Sequence, residues 1–185
     1  MSALRLVVTV GSDHHPFDRL VGWVDRWMDE RHERVELVVQ HGTAAPPRHG
    51  RSEAFLEHGD LIKLVEDADV VVLQGGPMGI VEARRAGHKP VVVPRLRSLG
   101  EVVDDHQVPF CKELARLGDV FLATSEREFH AILDGLLGNP APARPGPVES
   151  TQHVDAAVRV FGDLTAALPS RRPLLPRALW PRALR

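Results

Sequence analysis

The residues best suited to chemistry follow the most apolar stretch of the sequence. Residues 74–82 read Gln-Gly-Gly-Pro-Met-Gly-Ile-Val-Glu and come directly after the aliphatic run 70–73. Gly75, Gly76 and Gly79 allow positive φ angles and close approach of the backbone to a ligand. The free N–H groups at the start of a following helix attract anions. This segment therefore predicts a phosphate-binding turn.

Glu82 lies one turn into the helix predicted over residues 80–86, near its positive end. Its carboxylate could accept hydrogen bonds from the hydroxyl groups of a sugar. The same residues also fit an ordinary strand-to-helix loop with a solvent-facing glutamate, since one glycine-rich turn is a weak motif by itself. The turn alone leaves both interpretations open.

Two further loops bring polar residues to the same predicted edge of the sheet. Gly11 and Ser12 end the first predicted strand, where the serine hydroxyl and N–H could touch a phosphate. Asp105, His106 and Gln107 lie at the start of a later helix. Open α/β sheets bind ligands at the carboxyl ends of their strands, where these loops would meet. Alternatively, Asp104 or Asp105 caps that helix, and His106 and Gln107 are exposed polar residues.

A metal site is a weaker alternative. Histidine and carboxylate side chains are suitable metal ligands, and the candidates are Asp13, His14 and His15, together with Asp105 and His106. The sequence contains no Cys-x-x-Cys, no His-Glu-x-x-His and no lysine-bearing phosphate loop. We therefore predict a site that uses neither a metal ion nor a cofactor.

The composition is that of one soluble globular domain. The 185 residues are 43% hydrophobic and 26% charged, with a net charge of −2 that gives no argument for a nucleic-acid partner. The single cysteine, Cys111, excludes a disulfide framework and suits a reducing cytoplasm. No run approaches the ~18 apolar residues of a transmembrane helix. We expect a cytoplasmic domain in which Cys111 packs inertly on an apolar helix face.

Alternating strands and helices must position these loops. Aliphatic runs without period-two alternation predict buried parallel strands at 4–11, 35–40, 70–73, 89–94 and 120–124. Helices are predicted at 16–30, 59–67, 80–86, 104–117 and 125–137, the last with the capping-box spacing of Ser125 and Glu128. Residues 41–52 are predicted as a loop. The alternation predicts an α/β fold with a doubly wound, Rossmann-like parallel sheet of about five strands.

The C-terminal part of the sequence differs in composition from the first 138 residues. Residues 139–150 contain four prolines and are predicted to be a linker. Residues 151–168 have the apolar spacing of an amphipathic helix. Residues 169–185 hold five arginines, four prolines and no acidic residue. Such a tail could adhere to an anionic membrane face or to a partner, and a disordered tail is the alternative.

Several motifs, taken in order, resemble the C-terminal domain of glycosyltransferase family 28 over about residues 4 to 137. They are Val8-Thr-Val-Gly-Ser12, Pro16-Phe-Asp-Arg-Leu-Val21, Gln40 with Gly42, Ala68-Asp69, the Gly-Gly turn with Glu82-Ala83, Lys89-Pro-Val-Val-Val-Pro-Arg95 and Asp105-His-Gln107. Within the family, the chain is most similar to the small split subunits. These are the donor-binding subunit of the eukaryotic dolichol-linked UDP-GlcNAc transferase and its bacterial exopolysaccharide counterparts.

The resemblance implies the C-terminal half of a GT-B glycosyltransferase, with residues 1–138 as a nucleotide-sugar-binding α/β domain. In the family, the glycine turn and the Gly-Ser loop hold the UDP diphosphate, the glutamate holds the ribose, and the His-Gln pair faces the donor sugar. Carried over to this sequence, these residues are Gly75, Gly76, Gly11, Ser12, Glu82, His106 and Gln107.

The glycine turn departs from the family's usual Ser-His-Ala-Gly-x-Gly-Thr sequence. Gln74 stands where the histidine is expected, Met78 replaces a glycine, and Gly79 replaces the hydroxyl residue. Gln74 can still donate a hydrogen bond to a phosphate, but without a charge. Pro77 has no N–H to offer.

The catalytic base is not assigned to this chain, because in this architecture it belongs to the N-terminal half. The resemblance thus implies the donor-binding subunit of a two-chain transferase that moves a sugar from a UDP-sugar to a lipid-linked or polysaccharide acceptor. Its expected partner is a membrane-associated, acceptor-binding subunit. The competing class is a nucleotide-binding or regulatory scaffold without transferase activity. A nicotinamide-dependent oxidoreductase is disfavoured, because Gly11 is not followed by a Gly-x-x-Gly pattern.

Overall fold

The computed structural model describes residues 3–146, apart from the side chain of His32. The strands are β1 (Leu4–Thr9), β2 (Val35–Gln40), β3 (Arg51–Glu53), β4 (Val70–Gln74), β5 (Val91–Val93) and β6 (Phe121–Leu122). The helices are α1 (Asp18–Met28), α2 (His58–Asp67), α3 (Pro77–Arg85), α4 (Gln107–Arg116) and α5 (Glu126–Gly138), with short 3₁₀ helices at His32–Arg34, Arg97–Leu99 and Ala141–Ala143. None of the described helices has the length and apolarity that crossing a bilayer requires.

The amphipathic helix expected at 151–168 and the basic tail at 169–185 lie outside the described residues, as does the end of the expected linker at 139–150. The division of the chain into these segments therefore stays a prediction.

The six strands form one parallel sheet in the order β3-β2-β1-β4-β5-β6. This confirms the predicted α/β class and the doubly wound, Rossmann-like sheet. The chain runs outward from β1 to β3, returns to β4 beside β1, and then runs outward on the other side. The connections that leave β1 and β4 therefore diverge. Such a reversal of strand order opens a crevice at the carboxyl ends of the two strands.

Helices cover both faces of the sheet because its central strands are apolar on both sides. In β1, Leu6 and Val8 belong to the core cluster formed with α1 and α5, whereas Val7 belongs to the cluster formed with α2, α3 and α4. In β4, no residue from Val70 to Leu73 is more than 2% exposed. Burial on both faces explains why the sequence shows continuous aliphatic runs here.

Strand β3 was not predicted. The sheet therefore has six strands, where about five were predicted, and β3 begins inside the loop predicted at 41–52. It pairs with β2 alone, and its first and last residues, Arg51 and Glu53, are exposed. An edge strand that exposes its side chains carries no aliphatic run, so the signal used for the other strands is absent from its sequence.

The helix starts differ from the predictions by a few residues, and local chemistry explains the differences. Helix α3 begins at Pro77, whose fixed φ angle and missing N–H suit the first helical position. At α5 the predicted capping box is present. The Glu128 N–H donates to Ser125 Oγ at 3.3 Å, and the Ser125 N–H donates to Glu128 Oε2 at 3.2 Å.

His88 is a fully buried titratable residue between α3 and β5. Its own carbonyl accepts a hydrogen bond of 3.0 Å from Arg84, and the neighbouring Lys89 N–H donates to Ala143 O at 2.9 Å. Burial lowers the pKa of His88, and the positive charge of Arg144 lowers it further. The folded protein therefore holds this imidazole in its neutral form.

Acidification should destabilise the protein through His88. The unfolded chain takes up a proton as the pH falls below about 6.5, whereas the folded chain resists protonation down to its lowered pKa. In that window, His88 should contribute a loss of stability of up to about 1.4 kcal/mol per pH unit. Urea unfolding of wild type and His88→Gln at pH 7.5 and pH 5.5 measures this contribution. An equal loss of stability in both proteins would contradict it.

Candidate functional site

A crevice of about 380 Å³ opens at the carboxyl ends of β1 and β4, beside α2 and α3. It is the position that the reversal of strand order predicts for a ligand. Of the ten residues predicted for the site, those that line the crevice are Gly11, Ser12, Gln74, Gly76, Gly79 and Glu82. The other four, Gly75, Asp105, His106 and Gln107, lie outside its lining.

The glycine turn, residues 74–79, uses its glycines for close packing rather than for unusual backbone angles. Gly76 has a φ of −78°, and neither Gly75 nor Gly79 has a positive φ, which corrects the expectation of positive φ angles here. A Cβ atom on Gly75 would lie 2.8 Å from Cys111 Sγ and 2.8 Å from Gln107 Oε1. The turn therefore needs glycine at 75 in order to lie against α4.

Gly11 is the predicted site glycine that does adopt the left-handed region, with a φ of 79°. Its N–H donates to Thr9 Oγ1 at 3.2 Å, and Gln40 Nε2 donates to the same oxygen at 3.1 Å. Gln40 Oε1 in turn accepts from the Leu56 N–H at 3.0 Å. Thr9, Gln40 and Leu56 all line the crevice. This network fixes the loop after β1 and leaves Ser12 to face a ligand.

The Gln74 side chain presents its amide N–H groups to the crevice. Its Oε1 accepts one hydrogen bond from Arg95 Nε and one from Gln107 Nε2, both at 3.1 Å. The two donors fix which end of the amide is the oxygen. A Cβ atom on either Gly11 or Gly76 would lie 2.6 Å from Gln74 Nε2, so the nitrogen projects between these two glycines.

Arg95 is the residue on which the loops converge, although it was not among the predicted site residues. It is fully buried, and its guanidinium donates to Gln74 Oε1, Val10 O, His15 O and Glu101 O at 2.7–3.1 Å. Burial lowers the pKa of Arg95. One side chain thus joins the glycine turn to the loops after β1 and β5.

Gln107 and its neighbours support the glycine turn from behind. Gln107 is 9% exposed, and its Oε1 accepts from the Arg95 N–H at 3.0 Å.

The Asp105 carboxylate accepts from the Arg97 N–H at 2.9 Å, so it holds the loop rather than facing the crevice. His106 Nδ1 lies 2.7 Å from Asp104 Oδ1. Burial opposes ionisation of Asp104, but its hydrogen bonds from the His106 N–H and ring outweigh burial and lower its pKa.

Glu82 and His58 face each other across the crevice from α3 and α2. The distance between His58 Nε2 and Glu82 Oε1 is 3.8 Å, and the Glu82 side chain is 27% exposed. Because it is partly exposed and lines the crevice, the carboxylate is accessible to a ligand bound there. No sequence motif marks His58, which lies at the start of α2.

An apolar rim, formed by Phe55, Leu56, Leu61, Ile62 and Met78, borders the crevice. Phe55 and Met78 are 56% and 65% exposed. Exposed aromatic and thioether groups beside polar ones suit the flat, partly apolar face of a base or a sugar ring. The rim carried no periodic signal in the sequence, because its members come from a loop and two helices.

The alternative metal ligands come together in part. Asp13, His14 and His15 each place one ligand atom within 4.8 Å of the others. Asp13 Oδ1 already accepts from the His15 N–H at 2.9 Å and lies 2.7 Å from His15 Nδ1. Burial opposes ionisation of Asp13, but these contacts outweigh it and lower the pKa of the carboxyl. This arrangement closes a local turn and does not involve Asp105 or His106.

Cys111 packs beneath the glycine turn. It is fully buried, with Sγ 3.9 Å from Gly75 O. Burial raises the pKa of the Cys111 thiol to about 12, so the thiol is protonated at neutral pH. A buried, protonated thiol is a packing group rather than a nucleophile.

Comparison with known proteins places this architecture among glycosyltransferases. The glycosyltransferase family 28 C-terminal domain matches residues 5–120. The glycosyltransferase of kitacinnamycin superposes with a TM-score of 0.58 at 19% identity, over 91% of this chain and 44% of that one. MurG of Acinetobacter baumannii superposes with a TM-score of 0.56 at 19% identity, over 89% of this chain and 50% of that one. No curated protein matches the sequence.

A third structure matches over most of both chains. The solution structure of ALG13 superposes with a TM-score of 0.55 at 15% identity, over 86% of this chain and 95% of that one. By contrast, the chain spans half or less of the kitacinnamycin enzyme and of MurG. At these identities the superpositions establish a shared fold.

Substitution of two glycines in the turn should have opposite effects on stability. Gly75→Ala should destabilise the protein by about 1–3 kcal/mol, because both clashing partners, Cys111 and Gln107, are buried on α4. Gly79→Ala is the matched control. Its Cβ would meet Leu73 at an ordinary 3.8 Å, and alanine favours a helix over glycine by up to about 1 kcal/mol. Urea denaturation measures both, and equal effects would contradict this account of the turn.

Proposed function

The chain belongs to glycosyltransferase family 28, as its C-terminal domain, and from this premise we propose that it is the donor-binding subunit of a two-chain glycosyltransferase. The enzyme would move a sugar from a UDP-sugar to a lipid-linked or polysaccharide acceptor. The proposal depends above all on one observation. The crevice at the reversal of strand order combines an amide donor, a helix N-terminus and an accessible carboxylate within one small volume.

The diphosphate of the donor would lie against the glycine turn. Gln74 Nε2 projects there between Gly11 and Gly76, and helix α3 begins at Pro77. Oriented N–H donors and the positive end of a helix stabilise phosphate groups. Ser12 adds a hydroxyl at the carboxyl end of β1. The N–H of Gly11 already donates to Thr9, so we assign Gly11 the role of shaping the loop.

The ribose would lie beside Glu82. A carboxylate that accepts hydrogen bonds from the two adjacent hydroxyl groups of ribose fixes the sugar's orientation. The apolar rim next to it offers Phe55 and Met78 to the flat face of the base. In these assignments the glycine turn binds the diphosphate, and the opposite side, with Glu82 and the apolar rim, binds the ribose and the base.

Transfer of the sugar requires stabilisation of the departing diphosphate and a base for the acceptor hydroxyl. Preorganised donors at the glycine turn would supply the first requirement. The base must lie within hydrogen-bond reach of the acceptor, and we assign it to a partner chain.

The partner would be a membrane-associated subunit that binds the acceptor. Residues 151–168 would dock on it with their apolar stripe, and the five arginines of residues 169–185 would favour the anionic inner face of the membrane. We therefore propose a cytoplasmic location at the periphery of the membrane.

A nucleotide-binding or regulatory scaffold is the second candidate. The observation that favours it is the altered glycine turn, in which Gln74, Met78 and Gly79 replace the family's usual residues and Pro77 closes one N–H position. Such a module would bind the nucleotide through the same crevice but would not support transfer with any partner.

Glu82→Ala should weaken UDP binding by about 1–3 kcal/mol, because ribose would lose its hydrogen bonds to a partly buried carboxylate. Isothermal titration calorimetry with UDP measures the change. Glu113→Ala removes a glutamate from the exposed part of α4 and should leave the affinity unchanged. Equal affinities of wild type and Glu82→Ala would reject the ribose assignment.

The isolated chain should be inactive, and the co-expressed pair should transfer sugar. Radiolabelled sugar transfer from UDP-sugar to membrane acceptors, with and without the partner, measures this difference. Transfer by the isolated chain at the rate of the pair would contradict the two-chain proposal. Deletion of residues 151–185 tests docking separately, since the truncated chain should no longer co-purify with the partner or with membranes.

A further inference from the structure

Arg95 is buried directly behind the glycine turn and lies outside the lining of the crevice. We propose that it is a positioning residue for an anionic ligand: it aims the Gln74 amide at the phosphate groups and supplies the positive potential behind that amide. This inference deepens the proposed function, because it names the charged part of the donor as the part on which Arg95 acts.

The hydrogen-bond partners of the Arg95 guanidinium are neutral. Three are backbone carbonyl oxygens, of Val10, His15 and Glu101, and the fourth is the side-chain oxygen of Gln74. Among the residues that the structure describes, no carboxylate forms an ion pair with this guanidinium. The charge of Arg95 is therefore held by dipoles.

Glu101, a carboxylate that could pair with Arg95, is already bound to another arginine. Glu101 accepts two hydrogen bonds of 2.8 Å from Arg19 and a third, of 2.9 Å, from the Leu96 N–H. Glu101 and Asp13 act on Arg95 only through space, and the positive charge of Arg19 opposes them. Both arginines also lie over the Phe17 ring, at 4.6 Å for Arg95 and 5.2 Å for Arg19.

Burial of a cation is unfavourable unless hydrogen bonds and a nearby anion offset the lost hydration. A helix N-terminus and an amide donor already lie on the crevice side of Arg95. An anion bound there would complete the charge balance in a partly dry environment, where electrostatic attraction is stronger than in water. The arrangement thus fits a phosphorylated ligand and gives no advantage to a neutral one.

The orientation of the Gln74 amide depends on the same arginine. Arg95 Nε and Gln107 Nε2 both donate to Gln74 Oε1. The reversed amide would place its NH₂ group against two donors, so it is disfavoured. With Arg95 removed, Gln107 is the one remaining donor of the two, and Nε2 is held towards the crevice less firmly.

The test compares UDP with uridine, which lacks the diphosphate group on which Arg95 is proposed to act. Affinity for UDP is measured by calorimetry, and affinity for uridine by ligand-observed NMR. Arg95→Gln should weaken UDP binding by about tenfold or more, as expected for loss of a charge-assisted interaction, and should leave uridine binding unchanged.

The matched control is Arg144→Gln. Arg144 also donates to backbone carbonyl groups, those of Ala68 and Glu66, but away from the crevice. This variant should bind both ligands like wild type. It shows whether loss of any arginine that holds backbone carbonyl groups would have the same effect.

A second variant covers the case in which Arg95→Gln does not fold. Gln74→Met keeps the arginine and the length of the side chain but removes the amide, and it should show the same selective loss of UDP affinity. Equal weakening of UDP and uridine, or an unchanged UDP affinity in Gln74→Met, would overturn the inference. If wild type itself fails to bind UDP, the proposed function fails instead.

Discussion

The register of β1 against its two neighbours is the constraint on which the site depends. Thr9 pairs with Gln40 of β2 on one side and with Leu73 of β4 on the other. This register puts Thr9 Oγ1 within hydrogen-bond distance of Gln40 Nε2, and the same oxygen accepts from the Gly11 N–H two residues further along the chain. A shift of one residue would turn the threonine to the opposite face of the sheet. The apolar cores on both faces exclude that shift. Packing far from the crevice therefore determines where Thr9 and Gln40 lie in its lining.

A second layer of polar contacts connects the loops that the sheet brings together. Arg95 reaches the loops after β1, β4 and β5, and Gln107 adds a contact from α4. Loops are usually the most variable parts of an α/β fold, since each is anchored only by its own strand. Here a buried side chain makes several loops one unit. The geometry of the crevice is therefore determined by these loops together and not by any one of them.

The sequence predicted the α/β class, the parallel sheet and most strands, because strands buried on both faces must be aliphatic throughout. It missed β3, whose exposed edge residues carry no such signal. The positions of Ser12, Gln74 and Glu82 near the carboxyl ends of β1 and β4 followed from the order of the elements. The support given by Arg95 and Gln107 did not, since a contact between residues 21 or 33 positions apart depends on side-chain direction and not on periodicity. Asp105 and His106 were expected at this edge from the order of the elements, and the role of His106 beside the donor sugar came from the resemblance, but both residues lie outside the lining of the crevice.

Gln74 gives the crevice a donor that does not titrate. A histidine in this place would lose its positive charge around neutral pH, and its attraction for phosphate would change with every shift in acidity. A carboxamide donates the same hydrogen bonds from acid to alkaline solution, and a guanidinium keeps its charge over the same range. The phosphate contact proposed at this turn would therefore not depend on the pH of its surroundings. In surroundings where metabolism or ion flux changes the local pH, these two side chains would contribute the same affinity for the ligand.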